Sequence, residues 1–277
     1  MTNGALPDGF RLLSEPARLP AALLVMIKTW PSTLWIVRHG QSAGNVARDE
    51  AQAQGSHRIA LQSRDVDVPL SELGREQAAS LGKWFARRPD RPDVLLASPY
   101  VRARQTAEIF RESGGCDPHE RICFDERLRE KEFGVLDGLT TGGVAYFEPQ
   151  QAEFRKLLGK FYHRPPGGES WCDVILRLRS LLDTISLHYG DRRVLIVAHQ
   201  VVVLCLRYII EGLSEEEILA IDREGDVSNC GVTEYRFDPA AGKDGGLKLT
   251  AYNVTAPLDA EQTPVTDAPD AMIAARG

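Results

Sequence analysis

Two short apolar runs, each ending in a histidine, constrain this chain more than any other feature. Leu34-Trp35-Ile36-Val37 reads as a buried β-strand, and Arg38-His39-Gly40 stops it. Val194 to Ala198 reads the same way and runs into His199. The next segment, Gln200 to Ile210, is apolar nearly all round, the pattern of a buried helix. Strands that hand over to helices build α/β folds, and open α/β sheets bind ligands outside the carboxyl ends of their strands. Both histidines are thus expected at the end of the sheet where ligands sit.

The remaining pattern agrees. Strands are expected at Thr33–Val37, Asp93–Ala97, Ile122–Phe124, Arg193–Ala198, Val232–Phe237 and Leu247–Tyr252, with helical stretches between them. Ser71 opens a helix running to Arg87, with Leu73, Ala78, Leu81 and Phe85 on one side. Ser98-Pro99 reads as N-cap and first residue of a helix reaching Glu112. Val174, Ile175, Leu178, Leu181, Leu182 and Ile185 keep a 3.6-residue period, which predicts an amphipathic helix over 171–189. The fold class is a three-layer α/β/α sandwich with a mostly parallel central sheet. One domain is expected over 33–255, preceded by an N-terminal arm (1–32) that partly packs on it. Residues 134–170 carry Gly, Pro and aromatics around one helical stretch, Ala145 to Leu158, and read as a lid-like insertion. Residues 256–277 lack periodicity and read as a disordered tail.

Composition narrows the classes. A net charge of −6 over 277 residues gives no basic surface for a phosphate backbone, so nucleic acid is not expected as a partner. Any anion site must be locally cationic. The longest apolar run near the N-terminus, Ala21 to Ile27, is too short to span a bilayer, so no membrane is expected. Asp8 and Glu15 dilute the basic segment that a secretory signal needs. Five scattered cysteines without C-x-x-C spacing read as free thiols, with Cys205 in the core, and make a cytoplasmic protein the expectation.

Five segments carry candidate chemistry. Arg38, His39 and Gly40, followed by Ser42 and Asn45, put a cation, an imidazole, amide donors and a close-approach glycine at one strand end. A lone histidine there is usually a satisfied structural one. Ser98 to Thr106 places Arg102 in a first helical turn, where the guanidinium and the helix N-terminus both favour an anion. Leu128 to Gly134 sets Glu130 beside an aromatic-Gly turn, in a setting where a glutamate is usually surface decoration. Pro165-Pro166-Gly167-Gly168-Glu169-Ser170 ends as a helix begins, with Ser170 suited to cap it. Ala198-His199-Gln200 completes the set.

In that order, these segments resemble the histidine phosphatase superfamily, which contains acid phosphatases, cofactor-dependent phosphoglycerate mutases and fructose-2,6-bisphosphatase. The resemblance runs from about Thr33 to Asn253, and includes Pro69-Leu70-Ser71-Glu72-Leu73-Gly74-Arg75 with Gln77-Ala78. It implies a phosphomonoester hydrolase that forms a phosphohistidine on His39, splitting one hard displacement into two easier ones. One imidazole nitrogen must be free and the other held by a backbone acceptor. Arg38, Arg102 and His199 would surround the phosphoryl oxygens, with hydrogen bonds added by Ser42, Asn45 and Gln200. Glu130 would be the general acid, kept neutral because a nearby phosphate dianion raises its pKa. No metal and no cofactor is implied, and the partner is a small phosphorylated substrate.

Rival classes are separable. A metal-dependent phosphohydrolase needs clustered carboxylates and histidines, whereas His57, His119, His163 and His188 show no ligand spacing. No P-loop G-x-x-x-x-G-K-[ST] occurs. A non-catalytic phospho-ligand binder would not need the nucleophile, the acid and the second histidine together. Within the family, mutases read like E-R-x-Y-G after the acid, whereas this chain has Glu130-Lys131-Glu132-Phe133-Gly134. Phe133 lacks the hydroxyl, Lys131 lacks the bidentate fork that suits a carboxylate, and Glu132 adds negative charge, which together favour a phosphatase. The aromatics Phe133, Tyr146, Phe147, Phe161, Tyr162 and Trp171 suit either a lid pocket or a small secondary core.

Overall fold

A computed structural model of the chain describes residues 30–268, apart from 62 and 243–244. The expected N-terminal arm lies mainly outside the described residues. Its last residues lie at the amino ends of two central strands of the sheet, where Asp191 N donates to Trp30 O and Ser32 N to Arg192 O.

The strands are β1 (Thr33–Arg38), β2 (Val94–Ala97), β3 (Ile122–Phe124), β4 (Arg193–Ala198), β5 (Val232–Asp238) and β6 (Gly246–Val254). They form one six-stranded sheet in the order β3-β2-β4-β1-β5-β6. The first four run parallel, and β5 pairs antiparallel with β1 and with β6. The helices are α1 (Ala43–Ala53), α2 (Glu72–Ala86), α3 (Val101–Glu112), α4 (Thr141–Phe147), α5 (Pro149–Tyr162), α6 (Trp171–His188), α7 (Gln200–Glu211), α8 (Glu215–Glu224) and α9 (Ala256–Asp259).

The strand period of two divides the core between the faces of the sheet. Leu34, Ile36, Val94, Leu96, Val194 and Ile196 face α6 and α7, while Trp35, Val37, Leu95, Ala97, Leu195 and Val197 face α2 and α3. Each apolar side chain fully buried there is worth about 1.5–3 kcal/mol against exposure, so both faces must be covered, which gives the three layers. All six residues predicted to periodise along α6 are buried, and Cys205 is fully buried in α7.

The sheet's topology positions the site. β1 and β4 are neighbours, paired in register from Thr33 with Arg193 to Arg38 with Ala198. The helix α7 after β4 packs on one face, and α2, which follows β1 and α1, packs on the other. Such a divergence opens a crevice at the strand carboxyl ends. His39 and His199 flank it.

Three local expectations change. The loop after Gly40 is helical from Ala43, because Ser42 and Asn45 form a reciprocal capping box. The insertion holds two helices instead of one, broken at Glu148 ahead of Pro149, with non-helical backbone at Gly159 inside α5. Residues 256–268, expected to lack structure, include α9, whose Leu258 is fully buried in the core on the α2 side. One well-placed leucine gives this polar stretch an anchor that composition conceals. Residues 269–277 lie outside the described residues.

Candidate active site

The loop carrying His39 is shaped by close backbone contact. A Cβ on Gly40 would stand 2.4 Å from Gly74 O, and one on Gly74 would stand 1.9 Å from Gln41 O, so both positions need glycine. Gly40 N donates to Thr106 Oγ1 at 3.1 Å and Gln41 N to Gln77 Oε1 at 2.8 Å. His39 N donates to Ala198 O at 2.9 Å, continuing the β1–β4 ladder, and Asn229 Nδ2 donates to His39 O at 3.0 Å.

The fully buried His39 ring is oriented at both nitrogens. Its Nδ1 lies 2.7 Å from Gly40 O, which fixes the proton there, since a carbonyl only accepts. Nε2 then carries the lone pair, and Arg102 Nε approaches it at 3.2 Å. His199 packs edge-on to His39 with ring centroids 5.1 Å apart. His199 Nε2 lies 2.8 Å from Ser98 Oγ, and Tyr100 flanks its ring at 5.2 Å. Ser98 was expected to cap the helix after β2. Tyr100 takes the N-cap position instead, and the Ser98 hydroxyl is directed to His199.

Buried guanidinium groups require acceptors, because an unpaired charge inside a protein is costly. Arg38, fully buried, donates to the carbonyls of Val227, Asp267 and Ala268. Arg102, at 1 % exposure, donates to Asp65 O at 2.6 Å and pairs with the Asp65 carboxylate at 3.1 Å. Asn45 uses its side-chain carbonyl in the capping box with Ser42 and directs its Nδ2 to Ala268 O at 3.0 Å. A cavity of about 160 Å³ opens beside this group, lined by Ser42, Gly44, Asp65, Arg102 and Phe133 among others.

Glu130 is 1 % exposed, so the surface reading of this carboxylate does not hold. Its Oε1 accepts from Lys131 N at 2.8 Å, and its Oε2 lies 3.5 Å from Val201 N in the first turn of α7. The helix N-terminus beside His199 therefore faces the Glu130 carboxyl group. The Pro-Gly-Gly-Glu-Ser segment clamps this turn from behind. Glu132 N donates to Glu169 Oε2 at 3.1 Å, Glu169 pairs with Arg177 at 2.9 Å, and Arg177 reaches the carbonyls of Arg127 and Glu130. Burial pushes the Glu169 carboxyl upward, but Arg177 and the Glu132 N–H hold it below the ordinary range. Gly134 has φ +54°, and a Cβ there would meet Pro166 O at 2.1 Å, which explains the glycine that closes the turn.

The sequence-predicted residues Arg38, His39, Ser42, Asn45, Arg102, Glu130, His199 and Gln200 are all buried around the crevice. Gln200 turns its Nε2 to Asp226 Oδ1, which accepts from it at 2.6 Å. Ser98, Asp65, Thr106, Asn229 and Arg177 also act here. Ser98 and Thr106 lay within a segment already singled out; Asp65, Asn229 and Arg177 are brought in from distant loops and helices by tertiary contact. Tyr100 donates its hydroxyl to Glu132 Oε1 at 2.8 Å, and burial, then this carboxylate, raises its pKa. Phe161 and Trp171 join the main core, whereas Tyr146, Phe147 and Tyr162 are exposed and Phe133 lines the mouth.

A second cavity of about 500 Å³ lies under α5 and shares Phe133 and Leu136 with the first. Lys131, Arg155, Lys160 and His163 line it. Burial, reinforced by Arg155, lowers the Lys131 pKa to about 8. Among the described residues, no group of three or more His, Cys, Asp or Glu is placed to hold a metal ion. No helix of the described residues is long and apolar enough to cross a membrane.

Two histidines at adjacent strand ends, two buried arginines and a buried carboxyl group thus meet in one crevice of a three-layer α/β protein. The chain belongs to the histidine phosphatase superfamily (branch 1), whose family pattern matches residues 34–244. It is 29% identical over 229 residues to a probable phosphoglycerate mutase, GpmB, of Salmonella paratyphi C, covering 82% of this chain and 95% of that protein. It is 28% identical over 228 residues to a 6-phosphofructo-2-kinase/fructose-2,6-bisphosphatase of Caenorhabditis elegans. That match takes in 79% of this chain and only 45% of the nematode protein. Among solved structures, a mycobacterial glucosyl-3-phosphoglycerate phosphatase in complex with inorganic phosphate superimposes with a TM-score of 0.61 at 25% identity, covering 82% of this chain and 99% of that one.

Proposed function

We propose that this protein is a phosphomonoester hydrolase working through a phosphohistidine on His39, without a metal ion, on a small phosphorylated metabolite. One observation carries the reading. Gly40 O holds Nδ1 of a fully buried His39, leaving Nε2 as a lone-pair donor beside the Arg102 guanidinium. That is the state an imidazole nucleophile needs, next to a cation able to hold the group it attacks.

In the proposed reaction His39 Nε2 attacks phosphorus, and the bond to the leaving oxygen breaks as Glu130 gives that oxygen a proton. Arg38, Arg102 and His199 stabilise the charge on the phosphoryl oxygens. Glu130 then takes a proton from water, which attacks the phosphohistidine. The P–N bond breaks, and inorganic phosphate leaves. The Asp65 carboxylate must leave Arg102 as the phosphoryl group arrives, because two anions cannot share one guanidinium face at low cost.

The match across 95% of a probable phosphoglycerate mutase favours phosphoryl transfer between positions of one acid as the second reading. A panel of phosphomonoesters ranked by kcat/KM in the presence of chelator, with phosphate release and intramolecular transfer assayed side by side, separates the two. Release is expected to dominate and to survive chelation, with an acid-labile label trapped on His39. Transfer greatly exceeding release, or no label on His39, would overturn the reading.

A further inference from the structure

The described segment after α9, residues 260–268, stays on the domain. It runs along α2 and returns to the crevice. Leu258 is buried at its start. Glu261 pairs with Arg87 at 2.7 Å, and Thr263 Oγ1 meets Ser80 Oγ at 2.6 Å. Gln77 Nε2 donates to Pro264 O and to Thr266 Oγ1, both at 2.9 Å. Asn229 N donates to Thr266 O at 2.7 Å, and Thr266 Oγ1 donates to Asn229 Oδ1 at 2.9 Å. The last two described carbonyls then accept from Arg38, and Ala268 O also accepts from Asn45 Nδ2.

Two features make this more than a segment lying on a surface. Gln77 and Asn229 are both fully buried, and each also grips the nucleophile loop, through Gln41 N and His39 O respectively. The segment is therefore docked on the same two side chains that set the position of His39. Further, Ala268 O takes hydrogen bonds from Arg38 and Asn45, the two side chains read above as donors to a phosphoryl group.

We infer that residues 263–268 are an intramolecular strap that competes with the phosphoryl group for Arg38 and Asn45, so that substrate binds fully only when the strap's end withdraws. The inference rests on the reading of those two residues as phosphoryl ligands. The hold is suited to release. Val265 is 44% exposed, Asp267 is exposed, and past Glu261 the contacts that hold the segment are hydrogen bonds. The net gain per hydrogen bond is of the same order as the entropy cost of ordering a residue, so such a strap is poised near balance. When only a fraction of molecules has an open site, apparent affinity falls by that fraction.

The test compares the full chain with two variants, a truncation after Thr266 and Thr266→Val, each checked for an unchanged unfolding temperature. Orthophosphate affinity is measured by calorimetry without turnover, and kcat and KM are measured on an aryl phosphate. If the strap is seated in nine of ten molecules, the truncation binds orthophosphate about tenfold more tightly and lowers KM in proportion, with kcat little changed. Thr266→Val shifts both the same way by a smaller factor. Equal orthophosphate affinity in all three proteins, or weaker affinity in the variants, overturns the strap and leaves the phosphatase reading standing. Failure of all three to bind orthophosphate removes both.

Discussion

The ends of β1 and β4 are built alike and held differently. Each is a buried strand that delivers a histidine to one crevice, and the two imidazoles lie edge to face 5.1 Å apart. His39 is held at Nδ1 by the backbone of its neighbour, with Nε2 facing a guanidinium. His199 is held at Nε2 by Ser98, a hydroxyl that can donate or accept. One histidine is locked in a single tautomer by a carbonyl, while the other keeps a partner that tolerates either protonation state. On the proposed function, the contrast matches His39 to the nucleophile and His199 to the charge stabiliser.

The sharpest way to break that contrast is to remove each histidine in turn. His39→Ala is expected to lower kcat by at least about 10⁴-fold, as loss of a nucleophile does, with no label trapped from a phosphomonoester. His199→Gln should cost less, about 10²–10³-fold, the scale for one preorganised donor, and the label should still form. If the label follows His199 instead, the two roles are exchanged. Glu130→Gln tests the acid on the His199 side of the crevice. A loss of about 10²–10⁴-fold is expected for alkyl phosphates and far less for an activated aryl phosphate; an equal loss on both would remove Glu130 as the acid.

A smaller change targets what holds His199. Ser98→Ala removes one neutral hydrogen bond, worth about 1 kcal/mol and so roughly fivefold in kcat. The effect should appear as a shifted pH profile of kcat, with KM little altered. An unchanged profile would make Ser98 a packing residue only. Smallest for catalysis, and a control outside both junctions, is Lys131→Met. Burial lowers the folded-state Lys131 pKa from 10.5 to about 8, so between those values the unfolded chain binds a proton that the native state lacks. Stability should therefore gain a rising component from about pH 8 to pH 10.5, and Lys131→Met should remove that component in pH-dependent denaturant titrations.

Much of the fold and of the candidate site was legible in the chain. The six strands, the helices α2, α3, α6 and α7, and the burial of Cys205 follow from runs and periods that depend only on near neighbours. α8 was also legible in principle, since Ser214 and Glu217 make a capping box, yet its acidic first turn hides the apolar residues behind it. The course of 256–268 was not, because Leu258 is one apolar residue in a polar stretch and its burial depends on a surface made elsewhere. Ser98 shows the same limit within the site. Its position before Pro99 suits a helix cap, and the competing attraction of His199, 101 residues away, cannot be read locally.

The sequence by itself determined which candidate residues gather at the site and at which end of which strands they lie. Strand and helix periods and the residues that interrupt them are local properties, and Arg38, His39, Arg102, Glu130 and His199 sit at those interruptions. Tertiary structure alone decided how each is held. It fixed the proton on His39 Nδ1 through Gly40 O, supplied Asp65 and the carbonyls of residues 267 and 268 to the buried arginines, and set Glu130 against the first turn of α7. Those choices belong to partners far apart in the chain, because a buried charge or lone pair takes whatever donor or acceptor the packed fold brings within reach.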